Sequence, residues 1–141
     1  MVTNFKFSEL TKTSVKLINV PEDMEVVSNI YHTAVKLQRL RDIFKGAIRV
    51  NSCYRSPSVN AAVKGSTTSA HLKGMAADIC AYSGRAADNN ALWQLVTAHM
   101  QDLDIDQAIC YTLDGTPGTA IKWIHVGFTN GFPRHQILHK K

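Results

Sequence analysis

Residues 69–81 read SAHLKGMAADICA. A polar loop passes through a glycine into a short apolar run, Ala76–Ala81. That run is too short for an ordinary helix and too apolar for a surface strand, so it reads as a buried strand. Asp78 sits inside it. A carboxylate in such a place is costly unless a cation or several donors meet it. Whatever surrounds Asp78 therefore decides both the fold and the chemistry.

Immediately upstream, Ile48–Tyr54 (IRVNSCY) alternates and reads as a second strand. Ser56-Pro57 opens a short helix, Ser58–Val63, closed by Gly65, and a polar loop runs over Ser66–Ser69. Further back, Val27, Ile30, Tyr31, Ala34, Leu37, Leu40 and Phe44 recur at three- and four-residue steps, one apolar stripe of a long helix. Pro21 suits its first position and the acids Glu22, Asp23 and Glu25 its first turn, with Gly46 as the residue just past its end. Ser8 is positioned to cap a short helix at Glu9–Ser14.

Downstream, Asp88–Gln101 carries Leu92, Leu95, Val96 and Met100 and reads as a second amphipathic helix. Gln107–Tyr111 and Ala120–Phe128 read as strands, joined as a hairpin through the turn cluster Gly115–Gly118. Arg134–Leu138 reads as a last edge strand. Helices first, then strands with helices between them, predict an α+β fold: one domain, residues 1–141, with a small antiparallel sheet packed with helices.

Composition sets the outer bounds. The chain has 141 residues, 45% of them hydrophobic and 19% charged, which excludes a mainly disordered protein. No window approaches ~18 unbroken apolar residues, so no membrane span is expected. The start, MVTNFKFSEL, has no apolar signal core, so the chain is expected to be made in the cytoplasm without a signal peptide. Cys53, Cys80 and Cys110 are few, odd in number and far apart, so they are expected to be buried, reduced and structural. The net charge of +5 suits an anionic partner, but the basic residues form no stripe and no nucleic-acid motif is present. Solubility alone accounts for such a charge.

Two histidines share Asp78's anomaly. His125 lies inside the apolar run Trp123–Val126, and His71 lies in the loop seven residues before Asp78. Each has a plain alternative: a strand histidine with one hydrogen bond, or an aspartate paired with Arg55 or Lys73. Together, two imidazoles and one carboxylate make a three-ligand zinc set with a fourth position open. Such a set without thiolate suits a hydrolytic site more than a structural one. No HExxH motif occurs.

The stretches Ser52–Pro57 (SCYRSP), Ser69–Asp78 (SAHLKGMAAD) and Trp123–Val126 (WIHV) resemble the zinc D-alanyl-D-alanine peptidase family, in particular its compact phage and bacterial branch. The likeness runs from Phe7 to Leu138. It implies the zinc fold shared by Hedgehog domains and DD-peptidases, with zinc bound by His71, Asp78 and His125. It further implies Arg55 as a catalytic and substrate-binding cation, whose alternative is an ion pair to Asp78 or Asp106. Ser69 is implied as a pocket hydroxyl; its alternative is a cap for the turn before His71. Gly74 is expected to let the backbone turn, and Trp123 to pack beside the ligand.

Two departures bear on catalysis. The family has a glutamate where this chain has Tyr111, and other branches place an acid where Lys122 stands. Asp114 is then the acid expected to serve as catalytic base, with Asp106 a weaker candidate. The function implied is hydrolysis of peptidoglycan stem or cross-bridge peptides, of the carboxypeptidase or endolysin type, impaired by the missing glutamate. The alternative is a non-catalytic, zinc-containing wall-binding or virion module, with other phage virion proteins as partners. Nucleic acid is not an expected partner. The expected place of action is the cell wall after lysis or export, or the virion.

Overall fold

The computed structural model describes residues 3–141, so residues 1–2 of the expected domain lie outside the described part. The elements run α1 (Phe7–Leu10), α2 (Met24–Phe44), β1 (Ile48–Ser52), α3 (Pro57–Ala62), a 3-10 turn (Ala70–Lys73), β2 (Ala76–Ala81), α4 (Ala86–Ala98), β3 (Gln107–Thr112), β4 (Ile121–Gly127) and β5 (Gln136–Lys140). The expected α+β architecture is present. The strands form one sheet in the order β1-β2-β4-β3-β5. All neighbours are antiparallel except β3 and β5, which run parallel. The last strand is thus an edge strand as expected, but it breaks the antiparallel pattern. The chain leaves β4, crosses the start of β3 and pairs on its far side. Arg134 pins this crossing by donating to both carboxylate oxygens of Asp106, the shortest contact being 2.8 Å.

Register divides the strands into two faces. Val50 stands opposite Ile79, Ile79 opposite Ile124, and Ile124 opposite Cys110, with Ala77, Val126 and Ala108 forming the next row on the same face. These side chains join Ile30, Ala34, Leu37 and Leu40 of α2 and Leu92, Trp93 and Val96 of α4 in one buried core. The alternate residues, Asp78, His125, Ile109, Tyr111 and Trp123, occupy the other face. A bulge between Val50 and Ser52 shifts β1 so that Ser52 stands opposite Asp78. Cys53, Cys80 and Cys110 are all buried free thiols.

Several boundaries move from their predicted places. The long helix begins at Met24, because Asp23 rather than the segment from Pro21 caps it, accepting from the Glu25 amide. Its last residue is Phe44, and the left-handed residue that stops it is Lys45, one position before the expected Gly46. The first helix is Phe7–Leu10, not Glu9–Ser14, and no side chain caps it. Ser56 caps α3 through the Val59 amide.

Candidate metal and peptide site

His71 comes from the 3-10 turn, whose start is held by Ser69: its hydroxyl accepts from the His71 amide at 3.2 Å. The turn stops at Gly74, where φ is +70°. A Cβ there would meet Ile30 Cγ1 at 2.6 Å, so only glycine lets the turn press against α2 and re-enter the sheet. Asp78 follows on β2, and His125 stands opposite it on β4. The spacing of seven residues between His71 and Asp78 is the length of chain needed to close the turn and start the strand.

The three side chains converge. His125 Nδ1 lies 3.0 Å and His71 Nε2 3.3 Å from Asp78 Oδ1, and each residue offers one ligand atom within 4.8 Å of the other two. Ligand atoms ~2.1 Å from a tetrahedral zinc ion lie about 3.4 Å apart, close to the two distances from Asp78. The protonation pattern fits too. His71 Nδ1 lies 2.6 Å from the Cys53 carbonyl, which can only accept. The Nδ1 proton is therefore committed there, and a neutral ring turns its Nε2 lone pair toward Asp78. That Nε2 is buried without a hydrogen-bond partner among the described residues. A buried acceptor left unmet costs free energy, and a cation would meet it.

Asp78 divides its two oxygens. Oδ1 faces the histidines, and Oδ2 accepts from Arg55 at 3.1 Å. Burial would push its carboxyl up, but the hydrogen bond from His125 leads the effects that outweigh burial and hold it well below the usual carboxylate range. Arg55 is itself steered by Ser52, whose hydroxyl accepts from Nε at 3.1 Å. Cys53 lends the site only its backbone. Burial, then the charge of Asp78, pushes its thiol up to about 12, so it stays protonated and inert.

The cluster opens into a groove of about 1030 Å³, lined among others by Arg55, Ser69, Lys73, Tyr111, Trp123 and Arg134. Of the residues singled out in the sequence, Arg55, Ser69, His71, Asp78 and His125 all line it. Arg55 also takes the ion pair foreseen as its alternative, and Ser69 also takes the capping role foreseen as its own. Asp114 is not brought there. It is fully exposed in the β3–β4 turn, where its Oδ1 accepts from Thr116 and Thr119. Asp106 does line the groove, but Arg134 occupies both its oxygens. Ser52 and the Cys53 carbonyl are site groups that the sequence does not single out. Their adjacency to the Arg55 turn was the available signal.

Among the described residues no helix is long and apolar enough to cross a membrane. No curated protein matches the chain. A family model described as Peptidase M15 matches residues 3–108. That is well over half of the chain, so the chain belongs to this peptidase family. The matched stretch includes Arg55, His71 and Asp78 and stops short of Tyr111, Asp114 and His125.

Proposed function

We propose that this member of the peptidase M15 family is a zinc-dependent hydrolase of peptidoglycan stem or cross-bridge peptides. The family carries a peptidase-type function and a peptide substrate. The observation that supports the finer reading is the convergence of His71 Nε2, Asp78 Oδ1 and His125 Nδ1 on one point at the floor of an open groove. These three residues would hold the ion. Bound zinc lowers the pKa of a coordinated water to ~7 and polarises a carbonyl.

The chain's own residues supply the rest. Asp78 and Arg55 neutralise each other, so a dication leaves the site with a net positive charge and a preference for oxyanions and carboxylates. Arg55 uses one amino group on Asp78 and Nε on Ser52, and its remaining donors can meet a substrate oxygen bidentately. Lys64 and Lys73 line the same groove and add attraction for an acidic peptide. The test is direct: purified protein, with zinc and after chelation, is incubated with wall tetrapeptide and pentapeptide, and products are read by mass spectrometry. Metal-dependent release of an alanine or a dipeptide is the expected result. A zinc-loaded protein that leaves both peptides intact removes the enzymatic reading.

A second reading has its own observation. The groove's carboxylates are Asp23, Glu25, Asp78 and Asp106. Asp78 belongs to the cluster, Asp106 is tied to Arg134, and Asp23 caps α2. Glu25, in the first turn of α2, is the one whose side chain has no partner among the described residues. A site so poor in free carboxylate beside its metal ligands suits a wall-binding or virion module that holds a peptide without cutting it. Intact peptide that binds with micromolar affinity and is not hydrolysed is the result that favours this reading.

A further inference from the structure

Tyr111 stands on β3 two residues beyond Ile109, and Ile109 is the cross-strand partner of His125. Residues two apart on a strand share a face, so Tyr111 lies on the face that carries His125 and Asp78. Its own partner is Trp123, and the two rings stack with centroids 4.7 Å apart and planes 24° from parallel. The stack fixes the ring and leaves one polar atom, the hydroxyl, on a side chain that lines the groove. Among the described residues that hydroxyl has no hydrogen-bond partner.

A phenol keeps its proton at neutral pH, since its ordinary pKa is ~10. Here burial and then the charge of Asp78 push it higher, with Arg55 pulling the other way. The group cannot take a proton from water at pH 7, but it can give a hydrogen bond. Arg55, steered by Ser52 and Asp78, is a second donor lining the groove beside the same cluster. An oxygen-rich ligand lying over His71, Asp78 and His125 would meet both.

We infer that the Tyr111 hydroxyl donates a hydrogen bond to a carbonyl or carboxylate oxygen of the peptide held in this groove, acting as a substrate-binding donor that works with Arg55. This rests on the peptide-binding reading above. The trade is chemical: a donor at this position favours holding an anionic or polarised oxygen, whereas a carboxylate there would repel it and favour proton removal.

Zinc-loaded full-length protein is titrated calorimetrically with a pentapeptide ending in D-alanyl-D-alanine and with its C-terminal amide, and mass spectrometry checks that the peptide stays intact. Where it is cleaved, KM and kcat are read instead. Tyr111→Phe keeps the stack on Trp123, so zinc content and Tm should match the wild type. Its affinity should fall about 3- to 10-fold, the usual worth of one neutral donor. A fall for both peptides places the contact on a backbone carbonyl, and a fall for the acid alone places it on the terminal carboxylate. Tyr111→Glu should weaken the acid further and, if the chain is a hydrolase, raise kcat while raising KM. Wild-type binding with unchanged affinity in Tyr111→Phe overturns the inference and leaves the peptide reading standing. Wild-type protein that binds neither peptide overturns both.

Discussion

Asp78 and Ile79 are neighbours on β2, both buried and opposite in consequence. Ile79 lies in the apolar core with residues of α2 and α4, with 0% of its surface exposed. Asp78 faces the other way and meets two imidazoles and a guanidinium. The helix-side face tolerates no polar atom because nothing there can answer one. The groove face tolerates a charge because three elements bring partners to it. One face is held together by volume, the other by matching of donors and acceptors, and the two should fail in different ways.

The largest effect is expected at Asp78. In Asp78→Ala, the half-buried Arg55 is left without its counter-charge, which lowers stability by about 1–3 kcal/mol, and the proposed metal set loses its carboxylate. Atomic emission analysis should find far less than one equivalent of zinc and calorimetry a lower Tm; a variant that still carries a full equivalent would mean that Asp78 is a structural ion-pair residue. Ile79→Ala sharpens the contrast from the other side. It should cost about 2–5 kcal/mol through cavity formation, yet leave zinc stoichiometry intact in the folded fraction. Metal loss at temperatures where this variant is still folded would show that the faces are not separable.

Arg55→Lys probes the groove face more gently. The point charge can still neutralise Asp78, so zinc should remain, while peptide affinity drops roughly tenfold or more for want of the planar fork. Asp106→Asn tests a partnered carboxylate just before β3. Hydrogen bonds from Arg134 hold Asp106 below its usual range against a smaller opposing effect of burial. Its folded pKa thus lies below the unfolded value of ~3.9, so its stabilisation is whole above about pH 4 and is lost as pH falls through the folded value. With Arg134 largely in solvent, the pair is worth no more than about 1 kcal/mol. The variant should show a flatter acid limb in urea midpoints measured from pH 5 to 2. The smallest effect is expected at Asp114. Its turn lies off the groove, so Asp114→Asn should change neither zinc content nor peptide cleavage; abolished cleavage with zinc retained would make it the base after all.

The sequence exposes the two faces unevenly. Alternation in β1 and a short apolar run in β2 placed these strands within two residues of their ends, and β3 and β4 were placed as closely, because a strand buried on one face writes period-two hydrophobicity and one buried on both writes an unbroken run. Asp78 and His125 were visible as polar intrusions into apolar strands, and their order along the chain carried the family likeness. The parallel run of β5 was not visible: a short, half-exposed edge strand has the same pattern in either direction, and its direction follows from the crossing that Arg134 and Asp106 fix. Lys45 at φ 58° was hidden behind Gly46, which looked the better candidate for a left-handed residue. Asp114 was drawn toward the site only by closeness in sequence, which says nothing about where a turn projects. The support of His71 was hidden for a different reason, since a backbone carbonyl has no letter of its own.

That carbonyl belongs to Cys53, whose side chain is sealed in the core at 0% exposure while its oxygen grips His71. One residue is thus keyed into the packing on one side and aims an imidazole on the other. Interior fit at position 53 becomes angular accuracy at the proposed ligand, so loosening the hydrocarbon side should detune the grip on a bound ion before any strand parts. Zinc affinity, followed through a series of replacements at this position, would work as a gauge of how tightly the interior is assembled.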